Sequence, residues 1–160
     1  MALRIITTGG TFDKHYSPLA GSLGFADTHL NEITARMRLV DPIVTQKLML
    51  IDSLEMQDTH REQILQACLS SLETKIVIIH GTDTMAETGR VLGAASLEKT
   101  IVLTGAMVPY EVTGSDALFN LGFALGVAEQ TSSGVYIAMN ARVHPWQTVR
   151  KNRHLGVFES

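Results

Sequence analysis

Cysteine is almost missing from this chain. A single thiol, Cys68, leaves no intrachain disulfide to form and points to a reducing, cytoplasmic setting. Proline is scarce at 4 residues against 13 glycines, so the chain is not a low-complexity segment. Positive charge is not in excess. The formal net charge is −3, and the one basic cluster, Arg150, Lys151 and Arg153, is short. That argues against a nucleic-acid partner, because phosphate binding needs a clustered basic surface. No apolar run approaches the roughly 20 residues of a bilayer span, so no membrane association is expected. Met1–Thr8 runs at once into an apolar segment ended by glycines, without the apolar core and cleavage site of a secretory signal. The six histidines fall at no metal-ligand spacing, so neither a metal nor another cofactor is expected. No GxSxG elbow, GxGxxG turn or Walker A pattern occurs, which disfavours an α/β-hydrolase and the common nucleotide sites.

What is present suits one folded domain. The chain has 160 residues, 45% hydrophobic and 18% charged, enough for a sizeable core. Apolar, β-branched runs predict strands at Leu3–Thr7, Ile43–Ile51, Lys75–Ile79, Thr100–Leu103 and Gly134–Met139. A Gly-rich, polar loop follows the first, from about Gly9 to Gly24. Helical periodicity lies between the strands. It is marked by Leu30, Ile33 and Met37, by Ile64, Leu65, Cys68 and Leu72, by Val91, Leu92 and Ala95, and by Leu118, Leu121, Leu125 and Ala128. The third of these helices is predicted to end near Glu98. Thr59-x-x-Glu62 and Thr84-x-x-Glu87 read as capping boxes. The tail around Trp146 shows no strong periodicity. Alternating strands and helices imply right-handed βαβ units. The expected fold is a single-domain, three-layer α/β/α sandwich with a doubly wound, mostly parallel sheet of Rossmann or flavodoxin type.

In such a sheet, ligands bind beyond the carboxyl ends of the strands. Three of those ends carry unusual residues: Thr8-Gly9-Gly10-Thr11, His80-Gly81-Thr82-Asp83-Thr84 and Thr104-Gly105-Ala106-Met107. Glycines let backbone N–H groups approach a ligand closely. A helix starting at Thr84 would aim its N-terminus at the same crevice, which favours an anionic group. The candidate nucleophiles are threonines, and a threonine hydroxyl needs a neighbouring base. Tyr16, Lys151 and Asp83 have suitable chemistry. His80 reads as a structural hydrogen-bonder, Cys68 as core and Trp146 as a packing anchor.

These segments together resemble the bacterial-type L-asparaginase/glutaminase family. Ile6–Phe12 resembles its first signature, and Ile79–Thr88 resembles the second over ten consecutive residues. Val102–Pro109, Gly114–Leu121 and Asp52–Met56 resemble further stretches, in order and over nearly the whole chain. The resemblance implies an amidohydrolase that converts the side-chain amide of asparagine, or glutamine, to the acid plus ammonia through a threonine acyl-enzyme. Thr11 matches the nucleophile and Tyr16 the loop tyrosine that hydrogen-bonds it. Thr82, Lys151 and Asp83 match a second triad. Ser53 matches a contact to the substrate α-carboxylate, Asp83 the partner of its ammonium, and Ala106 the carbonyl facing the amide nitrogen. Gly10, Leu54 and Gly81 complete the implied substrate-binding set.

Residues 1–160 correspond to the N-terminal catalytic domain alone, and the family's second domain is absent from them. Only four residues separate Thr11 from Tyr16, fewer than is usual. Leu54 stands where the family often has a polar contact. A homo-oligomer, dimer or tetramer, is expected, with a neighbouring subunit covering the site. Two other readings are carried: a weakly catalytic amino-acid-binding module, and an ammonia-supplying subunit of an amidotransferase.

Overall fold

The computed structural model describes residues 2–160. In chain order the elements are β1 (Leu3–Gly9), β2 (His15–Ser17), β3 (Ser22–Gly24), α1 (Leu30–Arg36), β4 (Ile43–Ile51), α2 (Asp58–Ser70), β5 (Lys75–Ile79), α3 (Met85–Ala94), β6 (Thr100–Thr104), α4 (Ala117–Gln130), β7 (Gly134–Met139), β8 (Arg142–Pro145), β9 (Arg150–Asn152) and β10 (Val157–Glu159). The main sheet has the order β4-β1-β5-β6-β7-β8. Its first five members are parallel and β8 is antiparallel. Successive residues of each inner strand serve opposite faces. Ile6, Ile76 and Ile78 pack towards α2 and α3, whereas Ile5, Val77 and Ile79 pack towards α1 and α4. Each such isoleucine, fully buried, contributes about 1.5–3 kcal/mol. The result is the expected three-layer, doubly wound α/β sandwich.

The strand order reverses between β1 and β5, and their carboxyl ends open the crevice where such sheets bind ligands. Thr7 pairs with Ile79 at this rim, and the Thr8 hydroxyl donates to the Ile79 carbonyl at 2.9 Å.

Several local expectations fail for identifiable reasons. The Thr59/Glu62 capping box does not form, because α2 begins earlier. Gln57 caps it, and His60 closes the reciprocal bond, its Nδ1 accepting from the Gln57 N–H at 2.9 Å. Leu72 lies beyond the end of that helix and is 94% exposed rather than part of its buried stripe. Thr84 does precede α3, but its hydroxyl makes no capping bond; it donates instead to the Ser53 carbonyl at 2.8 Å. Helix α3 stops at Ala94, short of Glu98, where Ser96 takes a φ of +51°, and Ala95 is exposed. Leu118 is also exposed, since α4 turns Ala117, Leu121 and Ala124 to the sheet. The glycine-rich loop holds the β2–β3 hairpin, and the tail holds β8 and the β9–β10 hairpin.

Trp146 anchors that tail, as expected. A Cβ added at Gly93 of α3 would lie 2.2 Å from its ring, so any larger residue there would push the indole away. Cys68 is buried in the core, and burial pushes its thiol up to about 12, so it is chemically inert.

Candidate active site

Glycines bring the strand ends together. Gly10, with φ +68°, sits against Gly81 so closely that an added Cβ would lie 2.5 Å from the Gly81 Cα and nitrogen. Its own N–H donates to the Ile51 carbonyl at 2.9 Å, which docks the turn after β1 on the end of β4. Gly81 in turn abuts Ser53, where an added Cβ would lie 2.6 Å from Ser53 Oγ. An added Cβ at Gly105 would lie 2.3 Å from the His80 carbonyl. The turns bearing Thr11, Ser53, Thr82 and Ala106 therefore meet at one rim, as the sequence predicted.

The most developed part of this rim is polar and partly desolvated. Lys151 Nζ donates to Thr82 Oγ1 at 2.8 Å and to Asp83 Oδ1 at 2.9 Å. The Lys151 side chain is 10% exposed and that of Asp83 30%. The tail delivers Lys151 because its flanks are buried. Val149 lies in the core, and Phe158, paired with Lys151 across the β9–β10 hairpin, is buried beneath it. The Asn152 side chain donates to Glu159 at 2.7 Å and locks the hairpin. Arg153 Nε also lies 3.8 Å from Asp83 Oδ1. Both cations address the same oxygen, which leaves Oδ2 for a ligand.

Thr11 stands one residue beyond Gly10. Its hydroxyl makes no hydrogen bond among the described residues. Its turn is held instead by Asp13, which sequence reasoning missed. This buried carboxylate accepts from the Thr7 hydroxyl at 2.5 Å, the Thr28 hydroxyl at 2.9 Å and the His29 N–H at 3.0 Å. The only sequence signal was an acidic residue two positions after the conspicuous threonine. Lys14 also escaped notice. It pairs with Asp52 at 2.8 Å beside Ser53, and this bond holds the Asp52 carboxyl below its usual range.

Other expected residues are placed as follows. Ser53 Oγ accepts from the Thr84 N–H at 3.3 Å, at the start of α3. Ala106 is buried in the core facing α1 and α4, so only its backbone can reach the rim. Leu54 is 63% exposed. Tyr16 makes no hydrogen bond to Thr11 among the described residues. It lies on β2, 57% exposed, and its phenol makes no hydrogen bond among the described residues. Asn120, unforeseen, donates to the Gly105 carbonyl at 3.0 Å and shapes the turn after β6.

His80 is the structural group that was expected. Desolvation is the main force pushing its imidazole down to about 4, so it is neutral. Nδ1–H donates to the Gly81 carbonyl at 2.7 Å, and Nε2 accepts from the Thr88 hydroxyl at 2.7 Å. The histidines have no ligand spacing along the chain, yet the fold brings His15, His29 and Glu111 together at the foot of the β2–β3 hairpin.

Comparison with known proteins shows the family and the same fold. A model of the family described as "Asparaginase, N-terminal" matches residues 2–159. An L-asparaginase of Thermococcus kodakarensis is 31% identical over 162 residues, covering 98% of this chain and 49% of its own. A probable periplasmic L-asparaginase of Haemophilus influenzae is 33% identical over 153 residues, covering 88% of this chain and 43% of its own. The solved structure of the thermostable L-asparaginase from Thermococcus kodakarensis has a TM-score of 0.89 at 29% identity, and covers 100% of this chain and 51% of that one. The chain thus spans about half the length of the curated relatives it matches. It belongs to the asparaginase family, and it corresponds to that family's N-terminal domain.

Proposed function

We propose that the chain hydrolyses the side-chain amide of a small amino acid, asparagine or glutamine, with Thr11 as nucleophile. The observation that carries this reading is the Lys151 contact to Thr82 and Asp83, joined across almost 70 residues of sequence beside the Gly10–Gly81 junction. The substrate's α-ammonium meets the second oxygen of Asp83. Its α-carboxylate meets Ser53 and backbone N–H groups at the start of α3, where the helix dipole favours an anion. Gly10, Gly81 and the Ala106 backbone wall the pocket closely, and Leu54 borders its open side. Thr11 Oγ attacks the amide carbon, and backbone N–H groups of the glycine turns hold the oxyanion. The proton released by the Thr11 hydroxyl passes to the amide nitrogen as the C–N bond breaks, and ammonia leaves an ester on Thr11. Water, positioned by Thr82, hydrolyses the ester and restores the hydroxyl.

Lys151 can take the Thr82 proton only when neutral. In the observed arrangement Lys151 donates to Thr82, so it orients and polarises that hydroxyl. For Tyr16 to bond Thr11, as the family resemblance implies, the β2–β3 hairpin has to move on substrate binding.

Ammonia release from asparagine and glutamine tests the reading. Wild type should turn over one or both, and Thr11→Ala and Thr82→Val should both fall. Unchanged activity in both variants would reject it. Calorimetry showing tight aspartate or asparagine binding without turnover would select a binding module instead. Co-purification with a synthetase-type partner that consumes the ammonia would select an amidotransferase subunit. The exposed rim at Leu54 and Tyr16 supports a homo-oligomer in which a neighbour supplies cover. Sedimentation of a fully active monomer would contradict that. The lone buried thiol supports a cytoplasmic setting. No helix among the described residues is long and apolar enough to cross a membrane.

A further inference from the structure

We propose that His15, His29 and Glu111 form a site for one zinc-class divalent metal ion that ties the β2–β3 hairpin to the body of the fold. The three residues come from β2, from the position just before α1, and from the loop after β6. One ligand atom from each lies within 4.8 Å of the others. His15 Nδ1 is 3.2 Å, and His29 Nε2 4.0 Å, from the same Glu111 Oε2. The two imidazole centroids are 4.1 Å apart.

Hydrogen bonding leaves this group incomplete. His15 Nε2 lies 2.8 Å from the Asp27 carbonyl and must donate there. In the neutral ring, Nδ1 then turns a lone pair towards a carboxylate oxygen. Either a proton on Nδ1 or a metal ion can stand between them. A proton on Nδ1 would satisfy that pair alone. It would leave His29 Nε2, which has no partner although His29 is only 8% exposed. A buried imidazole nitrogen without a partner is costly. One metal ion serves all three atoms at once. Ligands at ~2.0–2.2 Å from tetrahedral zinc stand ~3.3 Å apart, so the group needs to contract by less than about 1.5 Å. Two imidazoles and one carboxylate suit zinc and its first-row neighbours, whereas magnesium and calcium prefer oxygen donors throughout. The Asp27 carbonyl already orients the His15 ring, as outer partners of metal-bound histidines do. Glu32 Oε2 stands 3.9 Å from His29 Nδ1 and can orient the second ring.

The same carboxylate reaches the hairpin. Glu111 Oε1 accepts the backbone N–H of Tyr16. Fixing Oε2 on an ion therefore fixes the group that holds β2, a few residues from Thr11.

The experiment uses the full chain without a histidine tag, stripped with a chelator and titrated with zinc, cobalt or magnesium alone. The expected result is one equivalent of zinc per chain, visible absorption from bound cobalt, and no saturable magnesium binding. His15→Ala and Glu111→Gln, both at partly exposed side chains, should each weaken zinc at least about tenfold. His154→Ala, on the exposed tail, should not. Zinc should also raise the unfolding temperature of wild type by clearly more than that of Glu111→Gln at the same zinc concentration. Absence of one-equivalent binding, or unchanged zinc affinity in both site variants, overturns the proposal.

Discussion

Thr11 and Thr82 stand on adjoining turns, yet the fold holds them differently. Thr82 is 6% exposed, and its oxygen accepts from Lys151 while Met107 Sδ lies 3.6 Å away. The Thr11 hydroxyl is half-buried and unengaged among the described residues; its carbonyl accepts from the Lys14 N–H, and its turn is held by Gly10 against Gly81 and by the Asp13 carboxylate, which accepts from Thr7, Thr28 and His29. One hydroxyl is engaged and the other is left free among the described residues. The proposed mechanism divides the labour of the two threonines accordingly. A nucleophile must be open to the substrate carbon, whereas a group that orients water or protons gains from a fixed partner.

Substitutions can break this contrast. The largest effect is expected at the free hydroxyl. Thr11→Ala should lower kcat by on the order of 10³-fold or more with little loss of stability, because no hydrogen bond is lost. Lys151→Met should follow, with a loss on the order of 10²-fold or more, since it strips the partner from Thr82. Steady-state ammonia assays beside thermal melts measure both. If Thr11→Ala is the milder of the two, the assignment of roles is inverted.

Two groups beneath the site sharpen the contrast through stability. The native fold keeps His80 neutral, with its imidazole at about 4 against an ordinary 6.5. The unfolded chain binds that proton first. The His80 contribution is therefore complete above pH 6.5 and is lost as the pH falls towards 4, on the order of 3 kcal/mol. Unfolding of wild type and His80→Gln from neutral pH downwards should show the gap between them closing in acid. Asp13→Asn should cost about 1–3 kcal/mol at neutral pH, because an amide cannot accept all three of its bonds. Denaturant titration measures it, and activity should fall with it as the Thr11 turn shifts. The smallest effect belongs to Tyr16→Phe. Stability should stay within about 0.5 kcal/mol, and kcat should drop about fivefold, the worth of one neutral hydrogen bond of ~1 kcal/mol.

The contrast also marks what the sequence could reveal. Strands buried on both faces need continuous apolar runs, so Lys75–Ile79 and Gly134–Met139 were legible to the residue. The three-residue strands β9 and β10 were not, because such short segments carry no period to read. Thr59 and Glu62 misled because their spacing is common, whereas Gln57 with His60 is an unusual pair of caps. At the site, Thr11 and Thr82 announced themselves in glycine-rich strand ends. Lys151 stood out for its chemistry, but its pairing with Thr82 and Asp83 was reached only through family resemblance, since nothing local ties it to Asp83. The grouping of His15 with His29 and Glu111 could not be read at all. It depends on three segments meeting in space.

The central claim is that one small-molecule pocket lies between the two threonine turns. A crystal structure with aspartate, the expected product, tests it most directly. The account predicts the ammonium at Asp83, the α-carboxylate at Ser53, and the side-chain carboxylate between the Thr11 and Thr82 hydroxyls, with the hairpin closed. Aspartate bound away from this rim, or touching only one of the two threonines, would contradict it.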